Sequence, residues 1–282
     1  MQVTVAKTAG FCFGVRRALE LTQKSAALSP TCTLGELIHN RQVVEELAGQ
    51  GVTVIERPED APAGAAVVIR SHGVGPQAYD TLRAQGSPVI DATCPFVKRI
   101  HQIAAEVPEN GLLLLAGRRE HPEVQGILGY CRGPALVFSS AEEMQELLAF
   151  LPSDGNIPVI LAAQTTFSLR EWEKILFFAK KVCTNLKVFD TICRATIERQ
   201  SEAKQLAQSA DAMVVVGGLH SANTTALAAL CGSYCPTVQV ETADQLERHR
   251  EALRGARFIG ITAGASTPAC IIKEVQNSMS VL

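Results

Sequence analysis

The chain has 282 residues, of which 47% are hydrophobic and 19% are charged, and its formal net charge is −2. This composition is typical of a globular protein with a sizeable core, and the near-neutral charge argues against electrostatic binding to nucleic acid or to an anionic membrane. The first residues lack the apolar segment of a secretory signal, and no run of about 18 apolar residues occurs, so we expect a cytoplasmic protein that spans no membrane.

Short apolar segments alternate with amphipathic segments along the whole chain, which indicates strand–helix repeats and parallel sheets. The plainest helix covers residues 168–182, with Leu169, Trp172, Leu176 and Ala179 on one face. Strands are predicted near residues 2–5, 32–34, 52–54, 67–69, 88–90, 112–116, 135–138, 158–162, 186–189, 213–216, 237–240 and 257–261.

The predicted strands fall into three similar groups of four. In two groups the fourth strand leads into the same D-x-x-C motif, which places Cys94 and Cys193 just after a strand. The third group is complete only if the N-terminal strand joins it, and that strand leads to Cys12. This repeat predicts an α/β protein of three pseudo-equivalent α/β domains in a trefoil. The predicted domains are residues 14–94, residues 95–192, and residues 193–282 together with residues 1–13.

Polar loops follow the first and third strands of every group. Ligands of parallel α/β sheets bind at the carboxyl ends of the strands, and all six loops and all three cysteines lie at such ends. We therefore expect the loops and cysteines to converge on one central cavity. The loops are residues 34–40, 69–73, 115–123, 161–166, 216–224 and 261–266.

Three isolated thiols from three domains indicate a metal centre at the middle of the trefoil. A zinc ion more often takes four ligands supplied by closely spaced pairs, so a [4Fe-4S] cluster bound by Cys12, Cys94 and Cys193, with one open iron, is favoured. Three unrelated buried thiols are the alternative. The other cysteines lack this context and are interpreted as buried or surface thiols: Cys32, Cys131, Cys183, Cys231, Cys235 and Cys270.

Histidines in the loops add a second functional signal. Four histidines fall in the polar loops: His39, His72, His121 and His220. Three of them lie at matching strand ends, each beside Gly, Asn or Pro, and they can donate charge-assisted hydrogen bonds to phosphate oxygens. A lone loop histidine is more often a solvated surface residue, but the matching positions favour an anion site. The sequence thus predicts a small phosphorylated substrate.

Small polar residues before helices complete this anion site. The segments 164–166, 221–223 and 263–266 supply hydroxyls, an amide and free backbone N–H groups. For each of these residues alone the alternative is an ordinary helix N-cap, a role that Ser266 before Thr267-Pro268 fits well.

Glu123 follows His121-Pro122 directly. A carboxyl beside histidines and a metal can have a raised pKa and supply protons. The alternative is a first-turn helix glutamate that interacts with the helix dipole. The sequence leaves both interpretations open.

Long motifs in a fixed order extend over nearly the whole chain, and through them it resembles the 4-hydroxy-3-methylbut-2-enyl diphosphate reductases. This family catalyses the last step of the methylerythritol phosphate route to isoprenoids. The motifs are AGFCFGVRRA at 9–18, IHNRQVV at 38–44, SHGV at 71–74, DATCP at 91–95, HPEVQG at 121–126, QTT at 164–166, DTICRAT at 190–196 and TAGASTP at 262–268.

The resemblance implies a trefoil around an oxygen-sensitive [4Fe-4S] cluster whose open iron coordinates the substrate's hydroxyl. Two electrons from reduced ferredoxin or flavodoxin, and protons routed through Glu123, then remove that oxygen as water and give isopentenyl or dimethylallyl diphosphate. It also implies that Glu123, His121 and Thr165 are catalytic, with Thr165 near the hydroxyl and Glu123. The implied diphosphate-binding residues are His39, His72, His121, Ser221, Asn223 and Ser266.

Three positions depart from the family pattern. Ala222 replaces the second of two serines before Asn223, which removes one hydroxyl from the implied diphosphate site at a cost of about 1.5–3 kcal/mol. Ala226 stands where an arginine is expected, and Cys270 where an aromatic residue is common. None of these positions is a cluster ligand or the proton donor.

Other functions fit parts of the pattern. The same cluster chemistry could act on a different allylic substrate. The chain could also be an iron–sulfur sensor or electron carrier, or a sugar-phosphate binding protein without a cluster.

Overall fold

The computed structural model describes residues 1–149, 157–183 and 185–279, which form twelve β-strands and eleven α-helices. The strands are β1 Gln2–Val5, β2 Thr31–Leu34, β3 Val52–Ile55, β4 Ala66–Ile69, β5 Val89–Asp91, β6 Leu112–Ala116, β7 Ala135–Phe138, β8 Val159–Ala163, β9 Leu186–Val188, β10 Ala212–Val216, β11 Thr237–Val240 and β12 Phe258–Ala263. The helices are α1 Phe13–Ala26, α2 Arg41–Gly49, α3 Pro76–Ala84, α4 Pro95–Ala105, α5 Pro122–Tyr130, α6 Ala141–Ala149, α7 Leu169–Val182, α8 Arg194–Ser209, α9 Ala222–Gly232, α10 Arg250–Leu253 and α11 Ala269–Met279.

The described strands pair in parallel as three four-stranded sheets, with orders β3-β2-β4-β5, β7-β6-β8-β9 and β11-β10-β12-β1. Counted along the chain within each group, the strands therefore lie side by side in the order second, first, third, fourth. The N-terminal strand completes the third sheet by pairing with β12, where Thr4 lies opposite Gly260. The predicted α/β class, with three similar groups of four strands, is confirmed.

Most central strands of the sheets are buried along their whole length. β6 (LLLLA), β8 (VILAA) and β10 (AMVVV) are buried at every position. A parallel sheet is covered by helices on both faces, so its inner strands are continuous apolar runs and do not alternate with polar residues. This burial explains why the same runs are recognisable in the sequence.

Helix α7 begins at the predicted position. Ser168 is its N-cap, and its hydroxyl oxygen accepts a hydrogen bond from the Glu171 N–H (3.4 Å). Its buried residues are Trp172, Ile175 and Ala179. Leu176, predicted on this face, is partly buried, and Ile175 beside it is fully buried.

Close contacts divide the chain into two compact units. The first unit comprises Met1–Arg16, Ile38–Gly49 and Arg194–Leu282 and contains the sheet of β10–β12 with β1. The second unit comprises Arg17–Leu37 and Gln50–Cys193 and contains the other two sheets. The three predicted domain boundaries stay a prediction, because strand pairing does not define where a domain ends.

No helix among the described residues is both long and apolar enough to cross a lipid bilayer.

Candidate active site

Each predicted cluster ligand lies between the fourth strand of a sheet and the next helix. Cys12 precedes α1, Cys94 is the N-cap of α4, and Cys193 precedes α8. All three are partly exposed and free of disulfide bonds. Each backbone N–H donates a hydrogen bond to the loop after the third strand of its own sheet: Cys12 to the Ala265 carbonyl (3.2 Å), Cys94 to that of Ser71 (3.0 Å) and Cys193 to that of Thr165 (3.0 Å). The repeat predicted from the sequence therefore extends to the anchoring of the cysteines.

The surroundings of these cysteines suit iron ligands. A thiolate at a helix N-terminus is stabilised by the positive end of the helix dipole, and thiolates are the ligands that iron–sulfur clusters require. Burial raises the pKa of the Cys32 thiol and raises that of Cys231 to about 12. The donor set of Cys12, Cys94 and Cys193 fits a cluster, whereas Cys32 and Cys231 fit apolar packing.

Glu123 and Thr165 form a buried pair in the second unit. Glu123 is 2% exposed, and its Oε1 accepts a hydrogen bond from the Thr165 N–H (2.7 Å). The Thr165 hydroxyl donates to Oε2 of the same carboxyl group (2.7 Å). Burial raises the pKa of Glu123 to about 7, although both hydrogen bonds from Thr165 act in the opposite direction. The carboxyl can therefore hold and release a proton near neutral pH.

The structure confirms the helix position of Glu123, and its role as a proton donor stays a prediction. The residue lies in the first turn of α5, as the helix-dipole interpretation requires. It is also buried against Thr165, as a proton donor would be. The helix places the carboxyl, and burial sets its proton affinity.

His121 lies next to this pair, and His72 contacts His121. His121 is buried at the start of α5, where its Nδ1 accepts a hydrogen bond from the Glu123 N–H (3.1 Å). A neutral imidazole that accepts at Nδ1 carries its proton on Nε2, so Nε2–H is a donor. The His72 ring makes an edge-on contact with the His121 ring, with 5.3 Å between the ring centroids. The second unit thus brings together His72, His121, Glu123 and Thr165.

The first unit groups the small polar residues. Ser221 is the N-cap of α9, and its Oγ accepts a hydrogen bond from the Thr224 N–H (3.4 Å) while its own proton can still be donated. The side-chain amide nitrogen of Asn223 is buried and has no hydrogen-bond partner among the described residues. A buried unpaired donor is costly, so this nitrogen fits a ligand oxygen.

Ser266 does not have the N-cap role that the sequence suggests. It lies in the turn from Gly264 to Thr267, ahead of the first residue of α11, and its hydroxyl donates to the His39 backbone carbonyl (3.3 Å). The reason is that Pro268 directly precedes α11, so the helix begins after this turn and not inside it. Ser266 and His39 are thereby neighbours in the first unit. That this group and the group around Glu123 face one cavity stays a prediction.

Two arginines that were not predicted as functional residues also lie near the predicted ligands. Arg199 in α8 and Arg17 in α1 donate hydrogen bonds to backbone carbonyls of the segments that lead to Cys12 and Cys94. A sequence signal for Arg199 exists, because it shares the helical spacing of the other buried residues of α8. The buried residues of α8 are Thr196, Arg199, Ala203 and Ala207.

Comparison with known proteins gives a consistent result over the whole chain. The model of one protein family, described as LytB protein, matches residues 3–280. The 4-hydroxy-3-methylbut-2-enyl diphosphate reductase of Caldanaerobacter subterraneus subsp. tengcongensis is 41% identical over 285 residues, which cover 98% of this chain and 95% of that protein. The enzyme of the same name from Geobacter sulfurreducens is 42% identical over 279 residues, with 98% and 95% covered.

Solved structures agree with these relatives. The structure of (E)-4-hydroxy-3-methyl-but-2-enyl diphosphate reductase, the terminal enzyme of the non-mevalonate pathway, is 38% identical, with a TM-score of 0.69 over 100% of both chains. The structure of the E-1-hydroxy-2-methyl-but-2-enyl-4-diphosphate reductase from Plasmodium falciparum is 26% identical, with a TM-score of 0.90, and covers 100% of this chain and 87% of that one.

Proposed function

The chain belongs to the LytB family, and from that premise we propose that it reduces 4-hydroxy-3-methylbut-2-enyl diphosphate to isopentenyl and dimethylallyl diphosphate. The observation that carries this proposal is the buried Glu123 carboxyl, which is held by Thr165 and has a pKa of about 7. The reaction removes an allylic hydroxyl as water and consumes two electrons and two protons. A carboxyl that exchanges a proton near neutral pH is the group such chemistry needs.

We propose that Cys12, Cys94 and Cys193 hold a [4Fe-4S] cluster. Their equivalent positions after the fourth strand of each sheet, and directly before a helix, support this assignment. When bound, the cluster supplies the two electrons and a Lewis-acidic iron. We expect reduced ferredoxin or flavodoxin to be the electron donor.

The diphosphate is bound by side chains that carry no permanent charge. The buried amide of Asn223 gains the hydrogen-bond partner that it otherwise lacks. Ser221 and Ser266 add hydroxyl groups. His121 can donate from Nε2, because its Nδ1 already accepts the hydrogen bond from the Glu123 N–H. His39 and His72 complete the proposed set. Histidines can gain a proton when the dianionic ligand binds, which strengthens their hydrogen bonds to phosphate oxygens.

Thr165 relays the proton. When Glu123 is ionised, the threonine hydroxyl donates to Oε2; when Glu123 is protonated, the same hydroxyl can accept from Oε2 and donate its own proton outward. One such transfer delivers a proton to the leaving hydroxyl oxygen. A second transfer, after Glu123 is protonated again, supplies the proton that the allylic carbon takes up.

The decisive experiment combines cluster analysis with turnover. Anaerobically purified protein should contain about four irons per chain, and it should convert the named diphosphate with a reduced donor. Glu123→Gln should keep the iron content and lower turnover by about 10²–10⁴-fold, because glutamine cannot exchange the proton.

Two outcomes would overturn this function. If iron-loaded protein left the diphosphate unchanged, the proposed substrate would be wrong. Unchanged electron transfer in both proteins, without any diphosphate reduction, would indicate an electron carrier or sensor.

A further inference from the structure

A buried arginine holds the segment that leads to Cys12. Arg199 is 4% exposed, and it donates from Nη1 to the Ala263 carbonyl (2.5 Å) and from Nη2 to the Gly10 carbonyl (2.9 Å). Gly10 lies two residues before Cys12, and its φ of +99° is the left-handed conformation that glycine tolerates. The guanidinium group therefore joins the end of β12 to this unusual turn.

A carboxylate one turn further along α8 holds the same segment. Glu202 accepts hydrogen bonds from the backbone N–H groups of Lys7 (2.8 Å) and Thr8 (2.8 Å) and from the Thr8 hydroxyl (2.6 Å). The segment from residue 7 to residue 10 is thus held by two charged side chains of one helix. Together with the backbone hydrogen bond from Cys12 to the Ala265 carbonyl, these contacts from α8 hold the chain on its path into Cys12.

A second arginine holds the segment that leads to Cys94. Arg17 donates from Nη1 to the Thr93 carbonyl and from Nη2 to the Asp91 carbonyl, both at 3.3 Å. Thr93 directly precedes Cys94. The arrangement repeats that of Arg199: one guanidinium group binds two carbonyls beside a predicted ligand.

A neutral group has the corresponding role before Cys193. The hydroxyl of Thr191, two residues before this cysteine, donates to the Ala163 carbonyl (2.7 Å) and accepts from the Ala163 N–H (2.8 Å). The three ligand loops are therefore held by different chemistry although their backbone anchoring is equivalent.

We propose that Arg199 and Arg17 are positioning residues, which fix the thiols of Cys12 and Cys94 for the cluster and place a positive charge behind these two ligands. The planar guanidinium group binds two carbonyls at fixed geometry, which lysine cannot reproduce. Groups behind the ligands orient them, and nearby net charge changes the potential of an iron–sulfur cluster. This inference rests on the proposed function for the presence of the cluster, but the anchoring of the two loops can be tested without iron.

Hydrogen exchange of the iron-free chain tests the anchoring. Arg199→Gln should speed backbone exchange in residues 7–12 by about tenfold and leave residues 91–94 at the wild-type rate, and Arg17→Gln should do the reverse. Arg199→Lys and Arg17→Lys, which keep the charge and are less disruptive, should show smaller effects in the same segments. Exposed ion-paired arginines serve as matched controls, Arg250→Gln for the first unit and Arg83→Gln for the second. The proposal would be overturned if the Arg199→Gln and Arg17→Gln variants exchanged at the rate of the controls. It would also be overturned if each of these variants accelerated exchange equally in residues 7–12 and in residues 91–94.

Two measurements on iron-loaded protein test the effect on the cluster. Each Gln variant should lose iron to a chelator about tenfold faster than wild type. Its cluster should also have a more negative midpoint potential, whereas the Lys variants should stay near the wild-type potential. An unchanged potential in the Gln variants would refute the role of the charge. If wild-type protein takes up no iron, the proposed function fails while the exchange result still decides the anchoring.

Discussion

At the scale of single residues, burial determines what Glu123 can do. A glutamate in the first turn of a helix is normally ionised, and the helix dipole favours its charge by about 0.3–1 kcal/mol. Burial of the whole side chain outweighs this effect and the two hydrogen bonds from Thr165, so the pKa is raised to about 7. The neutral carboxyl is therefore populated where an ordinary surface glutamate would be ionised.

The pKa of Glu123 predicts a specific pH dependence of stability. The folded chain releases this proton near pH 7, while the unfolded chain releases it near the ordinary value of 4.5. The contribution of Glu123 is thus complete below about pH 4.5 and is lost as the pH rises through about 7, a change of about 3 kcal/mol. Urea unfolding between about pH 5 and pH 8 should show wild type losing this stability relative to Glu123→Gln. Glu20→Gln, at an exposed position, is the matched control variant.

Ala222 offers a prediction of improved binding. It follows the N-cap Ser221 at the first position of α9, where the family resemblance implies a second serine. Ala222→Ser should restore one hydroxyl to the diphosphate and lower KM by about tenfold, since a hydrogen bond to a charged group contributes about 1.5–3 kcal/mol. Steady-state kinetics of the two proteins measures this. A KM that stays the same or rises would show that the diphosphate does not reach this position.

At the scale of elements, strands are predictable from the sequence and long-range polar contacts are not. Strands such as β6 and β10 are continuous apolar runs, a local signal that needs no partner to be recognised. The helical spacing of Arg199 indicates that it is buried, but its partners are carbonyls 64 and 189 positions away, and no local pattern identifies them. The alternative role of Ser266 as an N-cap does not hold for a similar reason, because its hydroxyl donates to the distant His39 carbonyl.

The loop after β4 gives a prediction with a matched control. Gly73 has a φ of +72°, and a Cβ atom there would lie 2.6 Å from Cε1 of His101 and 2.9 Å from Cγ2 of Thr93. The His101 ring cannot move easily, because it is buried and stacks on Tyr130 with 4.4 Å between the centroids. Gly86 has almost the same φ of +71° but open space around it.

Substitution of these two glycines should separate backbone strain from steric conflict. Gly86→Ala should lower the free energy of unfolding by about 1–2 kcal/mol through strain alone. Gly73→Ala should lower it by about 3 kcal/mol or more, because the neighbours must also shift. It should raise KM as well, since His72 is adjacent. Urea unfolding and kinetics test both points, and equal losses of stability in the two variants would contradict the steric conflict.

At the scale of the whole molecule, the threefold repeat connects the sequence to the proposed metal centre. The third group of strands lacks a fourth member of its own, which is why the repeat assigns the N-terminal strand to it. The pairing of β1 with β12 brings residues more than 250 positions apart into one sheet and gives Cys12 the same place as Cys94 and Cys193. The equivalence of the three cysteines is predictable because the repeat consists of local motifs. The different anchoring of their loops is not, because it depends on side chains from distant helices.

This equivalence predicts equal behaviour of the three cysteines. Cys12→Ser, Cys94→Ser and Cys193→Ser should each reduce iron to well below four per chain, and each should abolish the gain in stability that the cluster gives to wild-type protein. That gain exists because a ligand that binds only the folded chain shifts the folding equilibrium. Cys270→Ser, which alters an exposed thiol, should keep both the iron and the stability. Iron content and urea midpoints before and after chelation measure the effect. A serine variant of any of the three that retains full iron would remove that cysteine from the ligand set and would leave the repeat without its proposed function.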